Sequence, residues 1–192
     1  MTKIAIVYFS GYGHTARQAE AVQRGVEGAG TEALIVRIPQ DGEVPTETLE
    51  AIGSADAIIY GSPTYMGGVP WQFKRFADAS SKTWFGQSWK DKLAAGFTNS
   101  ASLNGDKFST MTYFWTLSQQ HGQLWVGPGL LPSNKLASTN EDTNWAGGFG
   151  GAYAISPSDS SPEQAPFAGD LETARILGER VATFAARLAQ KS

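Results

Sequence analysis

Residues 4–15, IAIVYFSGYGHT, decide the fold. Ile4, Ala5, Ile6, Val7, Tyr8 and Phe9 form an unbroken apolar run without polar alternation, the pattern of a parallel strand covered on both faces. Downstream, Ala16, Ala19, Val22, Val26 and Ala29 recur at helical spacing while Arg17, Gln18, Glu20, Gln23 and Arg24 turn outward, which predicts an amphipathic helix. The six residues between them, Ser10, Gly11, Tyr12, Gly13, His14 and Thr15, therefore form a strand-to-helix turn. Such a turn aims the first free N–H groups of the helix into one small volume, where the positive end of the macrodipole adds to them. That volume suits a phosphate. Gly11 and Gly13 allow backbone shapes that other residues resist, and the hydroxyls of Ser10 and Thr15 can donate to phosphate oxygens without adding charge.

Working outward, the same alternation repeats. A second strand is predicted at residues 33–38 and ends at Pro39; a short helix follows, capped by Thr46, with Leu49 and Ile52 inward. A third strand at residues 57–60 runs into GSPTYMGGVP, and Pro70 opens a helix with Phe73, Phe76 and Ala77 on its core side. Residues 80–92 read as a loop carrying Trp84, Phe85 and Trp89; for Phe85 and Trp89, cover of the core or of a dimer seam is the preferred reading. A fourth strand at 93–97 ends in TNSASLNGD, a helix follows from Phe108 to about Gln120, and residues 124–126 give a fifth strand. Trp115 and Trp125 fall in these elements and read as core. Residues 128–166 are rich in Gly, Ser, Asn and Pro and read as a long excursion with a short strand at 152–155. The last helix, within residues 163–189, turns Ala174, Leu177, Val181, Phe184 and Leu188 inward. Strands alternating with helices argue a doubly wound α/β parallel sheet, with residues 1–192 as one domain. The polar loops at Ser10, Ser62 and Asn99 all follow strand carboxyl ends, where such sheets bind ligands.

Composition narrows the chemistry. With 41% hydrophobic and 17% charged residues the chain is not of disordered type, and a net charge of −3 without a Lys/Arg run disfavours nucleic acid and anionic membranes as partners. The absence of cysteine removes disulfides, thiolate chemistry and iron–sulfur ligation, and two histidines disfavour a histidine metal site, so redox work would fall to a cofactor. An N-terminus that enters a strand at once, with no leader-like segment, gives a cytoplasmic expectation. Two nucleotide patterns compete for the first loop. Gly11, Gly13 and Ala16 fit a relaxed dinucleotide fingerprint, with Arg37 where a 2′-phosphate partner would stand. A hydroxyl-bearing turn suits a terminal phosphate monoester better than a bridging pyrophosphate, and the Lys of a Walker loop is missing.

YFSGYGHT, together with Ala19 and Val22, resembles the phosphate loop of flavodoxins. SPTYMGG after the third strand and residues 99–106 after the fourth resemble the isoalloxazine loops of WrbA-like NAD(P)H:quinone oxidoreductases. FADASSKTW, Gln120-His121-Gly122, AGGFGG and the final helix extend the likeness over nearly the whole chain. The resemblance implies a flavodoxin-like five-stranded parallel sheet of order 2-1-3-4-5 with helices on both faces, FMN as cofactor, NAD(P)H as reductant, a quinone as acceptor and a homodimer or homotetramer. It assigns Ser10, Gly11, Tyr12, Gly13, His14 and Thr15 to the FMN phosphate, with Tyr12 also near the nicotinamide. Pro63, Thr64, Tyr65, Met66 and Gly67, with Asn99, Ser100, Ala101, Ser102, Leu103, Asn104, Gly105 and Asp106, would surround the ring and ribityl chain, and Trp84 would lie over the substrate face. Two departures stand out. Pro63-Thr64-Tyr65-Met66-Gly67-Gly68 replaces the family's Pro-Thr-Arg-Phe-Gly-Asn and so lacks a positive charge near the flavin, and Gln120 stands where a first histidine is common. Adjacent helical residues point about 100° apart, so one of Gln120 and His121 is expected in the site. By this likeness the nicotinamide gives a hydride to flavin N5 and a quinone then takes two electrons from the same face, in ping-pong fashion. The alternative is a flavodoxin-like carrier that passes single electrons to a protein partner without NAD(P)H activity of its own.

Overall fold

The computed structural model describes residues 2–190. Its elements are β1 (Lys3–Tyr8), α1 (His14–Gly28), β2 (Glu32–Arg37), α2 (Thr46–Gly53), β3 (Ala57–Pro63), α3 (Trp71–Ala79), α4 (Ser81–Phe85), β4 (Leu93–Ser100), α5 (Lys107–Gln120), β5 (Leu124–Trp125), β6 (Ala152–Ile155) and α6 (Ala168–Ala189). The sheet runs β2-β1-β3-β4-β5 with every pair parallel, the order of a flavodoxin-like fold. It has six strands rather than five, because β6 also pairs with β4. β5 takes the start of β4 (Leu93↔Leu124) and β6 its end (Ser100↔Ile155), so one edge position is filled by two short strands in succession.

Alternation along β1 divides the interior into two layers. Ile4, Ile6 and Tyr8 join α1 and α6 on one face; Ala5, Val7 and Phe9 join residues of α2, α3 and α5 on the other. β3 and β4 are buried at every residue, which is why they read as continuous apolar runs. Both are longer than expected. Gly61, Ser62 and Pro63 still pair with Phe97, Thr98 and Asn99, so the first residues of the predicted loops are strand ends, those of β3 held by β4 and those of β4 held by β3 and β6.

Several smaller expectations are corrected. Thr46 is the first residue of α2 rather than its cap, a place taken by Pro45 without a side-chain hydrogen bond. The aromatic loop contains α4, while Trp89, read as cover of the core, is fully buried as expected. Trp115 is 49% exposed, on the outward face of α5, and Leu188 is 47% exposed, on the last turn of α6 beyond the apolar layer. Among the described residues no helix is long and apolar enough to cross a membrane.

Helices α1 and α6 pack backbone to backbone. A Cβ on Gly25 would fall on the Arg175 carbonyl, and one on Gly178 on the Val22 carbonyl. Gly178→Ala should therefore destabilise the protein by about 1–3 kcal/mol in urea unfolding, although alanine gains about 1 kcal/mol in helix propensity. Stability equal to or above wild type would show that the helices separate freely.

Candidate functional site

The carboxyl ends of β1, β3, β4 and β6 meet around a cavity of about 560 Å³, within the range of small-ligand sites. Tyr12, His14 and Thr15 border it from the β1–α1 turn, Pro63, Thr64 and Tyr65 from the end of β3, and Asn99, Ser100 and Ala101 from the end of β4. Ser156, Pro157, Ser158 and Ser160, which follow β6, close the fourth side and escaped the sequence reading. Their signal was a serine-rich segment directly after the short strand predicted at 152–155, the same strand-then-polar-loop pattern as the other three.

The β1–α1 turn is held by its own first residue. Ser10 Oγ, almost fully buried, accepts N–H bonds from Gly13 and Ala16, both at 3.2 Å, which leaves its proton to donate. Gly13 has φ +97°, the left-handed conformation that glycine adopts without strain. A Cβ on Gly11 would lie 2.5 Å from Tyr65 Oη, so a side chain there would displace the Tyr65 ring from the turn. Among the described residues the N–H groups of Gly11, Tyr12, His14 and Thr15 have no acceptor, and the Thr15 hydroxyl, buried at the cavity wall, has no partner. Orphan donors at a helix N-terminus, without a cation, are the donor set for a phosphate. His14 is oriented by a 2.9 Å bond between Nδ1 and the Ala165 carbonyl; a carbonyl only accepts, so Nδ1 carries the proton and Nε2 is the free nitrogen.

The second wall is fixed from below. Thr64 N–H donates to Asn99 O at 2.8 Å, and Thr64 Oγ1 lies within hydrogen-bond distance of Thr98 Oγ1 (2.9 Å) and donates to Thr110 Oγ1 (2.8 Å), tying β3 to β4 and α5. The chain then turns back through Met66 (φ +48°) and Gly67 (φ +78°) in a tight hairpin closed by Tyr65 and Gly68. Tyr12 and Tyr65 meet edge to face at 6.2 Å over the mouth. Met66 is fully exposed and borders a neighbouring groove rather than the cavity.

The third wall rests on a buried cation. Lys107, 2% exposed, donates to Ser100 Oγ (2.7 Å), Ser102 O (2.6 Å) and Leu103 O (2.9 Å), and burial lowers its pKa to about 8. Gly105 (φ +54°) and Asp106 (φ +51°) bend the turn back onto Ser100, where a Cβ on Gly105 would collide. Leu103 and Asn104 face a second cavity beside the first, and Ser102, Gly105 and Asp106 shape the turn from outside the cavity. Asp170, 1% exposed on the first turn of α6, accepts from Ile155 N at 2.8 Å; burial raises its pKa to about 7, against the Ile155 bond and the Lys107 charge.

Gln120, His121 and Trp84 are corrected. Residues 55, 91 and 122 precede β3, β4 and β5, and His121 and Trp84 belong with them, at the amino edge of the sheet. Helix α5 starts at the carboxyl edge, and its 14 residues carry the chain about 20 Å to the other end. There the His121 ring stacks 4.4 Å from Trp89, and Nε2 lies 2.9 Å from Ser80 Oγ. Ser80 spends its own proton on the Ala77 carbonyl, so His121 Nε2 is the donor, and burial holds the imidazole neutral with a pKa near 4. Gln120 is exposed beside it. Trp84 follows α3, which also ends at the amino edge, and cannot cover this cavity from its own chain.

A parallel 2-1-3-4-5 sheet whose carboxyl edge carries this turn and cavity defines a protein of flavodoxin-like fold. The chain belongs to the family described as NADPH-dependent FMN reductase, which it matches over residues 12–124. It is 47% identical to "Flavodoxin FldP" of Pseudomonas aeruginosa over 98% of this chain and 99% of that protein. It is 35% identical to an "NAD(P)H dehydrogenase (quinone)" of Geotalea uraniireducens over 98% of this chain and 100% of the relative. Among solved structures it resembles the flavodoxin, WrbA-like protein from Agrobacterium tumefaciens, with 45% identity, a TM-score of 0.78 and coverage of 97% of this chain and 99% of that one.

Asp170 gives a pH prediction. Its folded pKa is raised above the ordinary 3.8 to about 7, so its contribution to stability is full below the unfolded pKa and is lost as pH rises through about 7. Melting temperatures of Asp170→Asn and wild type, compared from about pH 4 to pH 8, should diverge in favour of the variant as pH rises. A difference independent of pH would contradict the assignment.

Proposed function

We propose that this chain is an FMN-dependent NAD(P)H:quinone oxidoreductase, with the FMN phosphate on the turn at residues 10–15. The observation that carries the reading is the set of unpaired donors there, the N–H groups of Gly11, Tyr12, His14 and Thr15 and the hydroxyls of Ser10 and Thr15, on a turn whose Tyr12, His14 and Thr15 line a cavity of suitable size. The donor set fits a dianionic phosphate monoester, and the aromatic and polar walls beyond it fit a planar ring on a hydroxylated chain. Bound FMN would supply the redox chemistry, taking a hydride from NAD(P)H and giving two electrons to a quinone.

The chain's own residues then bind, orient and shield. Thr15 and the turn amides hold the phosphate; Thr64, through Thr98 and Thr110, keeps the second wall at fixed height; Asn99 and Ser100, bridged to Ser156, keep the third. Tyr12 and Tyr65 flank the mouth, where the nicotinamide and the quinone would stack in turn on one face of a bound ring. One face used alternately predicts parallel lines in initial-rate plots with both substrates varied. Intersecting lines would refute alternate use.

A second reading, a one-electron carrier with no NAD(P)H activity, is favoured by the name flavodoxin given to the Pseudomonas relative. Anaerobic NADPH added to the FMN-loaded protein separates the two. Prompt loss of the yellow absorbance is the result expected of the enzyme, and an unchanged spectrum that of the carrier. The phosphate assignment has its own check. Thr15→Ala should weaken FMN about tenfold or more, at roughly 1.5–3 kcal/mol per charge-assisted bond, while riboflavin affinity hardly changes. Equal weakening of both flavins would remove the phosphate from this turn.

A further inference from the structure

We propose that Lys107 is the positioning residue for the turn that follows β4, and that Asp170, through its bond from Ile155 N–H, is the positioning residue for the adjoining wall after β6. The proposal rests on the cavity being the FMN site. Lys107 occupies a place that electrostatics disfavours twice. It is the first residue of α5, beside the positive end of the helix dipole, and it is buried. All three ammonium protons are used, on Ser100 Oγ, Ser102 O and Leu103 O. Residues 101–104 are exposed, and every hydrogen bond they make ends on Ser100 or Lys107: Ser100 Oγ donates to Ser102 O, and Lys107 N–H donates to Asn104 O. Without the ammonium this turn would keep two hydrogen bonds and no buried apolar side chain.

Asp170 performs the matching task on the other wall. One carboxylate oxygen accepts from Ile155 N, the last residue of β6, and the other is buried without a hydrogen-bond partner. The next residue, Ser156, lines the cavity and grips the Lys107 wall, through N–H to Ser100 O at 3.0 Å and Oγ to Asn99 Oδ1 at 2.9 Å. The two groups form no direct ion pair; desolvation acts most strongly on each, and the opposite charge of the other offsets it in part, while Ser156 joins their walls. Removing one leaves the other buried without its counter-charge; removing both does not. Stability and wall geometry can therefore be separated by mutation.

The experiment is a titration of FMN and of riboflavin into wild type, Lys107→Met, Asp170→Asn and the double variant. It is followed by flavin fluorescence and by the visible circular dichroism of the bound ring, with melting temperatures alongside. Positioning by Lys107 predicts that Lys107→Met weakens both flavins by a common factor of about ten or more and alters the ring's dichroism, since the wall acts on ring and ribityl rather than on the phosphate. In the double variant the melting temperature should recover towards that of Asp170→Asn while flavin affinity stays low. Should Lys107→Met fail to fold alone, the double variant against Asp170→Asn carries the same expectation. Binding of both flavins by Lys107→Met within about twofold of wild type overturns the proposal, as does an affinity that recovers together with stability in the double variant. A wild-type chain that binds neither flavin overturns the FMN reading itself, and is recognised before any substitution is made.

Discussion

The cavity depends on the register of the parallel sheet. Tyr8 stands level with Gly61, Pro63 with Asn99 and Ser100 with Ile155, so β3 runs two residues, and β4 and β6 three residues, past the level at which the chain leaves β1. In a parallel sheet a slip by one residue would exchange the two faces of a strand. For β1 that would move Ile4, Ile6 and Tyr8 out of the layer shared with α1 and α6, and the burial of both layers therefore fixes the heights of the loops. Packing that has no contact with a ligand thus sets the geometry of the site.

Within that frame the β1–α1 turn and the Lys107–Asp170 pair use opposite strategies. The turn gathers donors without charge: orphan amides, two hydroxyls and a glycine in the left-handed conformation, all held by Ser10. The far walls are braced by buried ionisable groups, Lys107 on Ser100 and Asp170 on Ile155. Tyr65 occupies the second loop where the resembling family carries an arginine, so no cation from that loop meets a bound ring. The nearest buried cation, Lys107, spends its protons on the backbone and on Ser100.

The sequence disclosed whatever depended on local pattern. The apolar runs of β1, β3 and β4, the periodicity of α1 and α6 and the polar loops after three strands are legible because each is set by neighbours within a few residues. β6 was legible as a strand but not as part of the site, because its four residues gain meaning only from pairing with the far half of β4. The burial of Lys107 was hidden for the same reason: a lysine at a helix start reads as solvated until the turn preceding it is seen to fold over it. Gln120, His121 and Trp84 lie apart from the cavity of their own chain for a different reason. Their assignment came from resemblance, while the length of α5 and the direction of α3, both readable from the sequence, carry those residues to the opposite edge.

The central claim, that residues 10–15 hold a phosphate through backbone and hydroxyl donors alone, is tested most directly by phosphorus NMR of FMN on the protein. Free phosphate monoesters change ionisation near pH 6, and their resonance moves with it. The bound signal should stay at the dianion position from about pH 5 to pH 8, because amide and hydroxyl donors, which do not ionise in this range, stabilise the doubly charged form throughout. A bound phosphate that titrates as free FMN does would contradict the claim and place the phosphate in solvent.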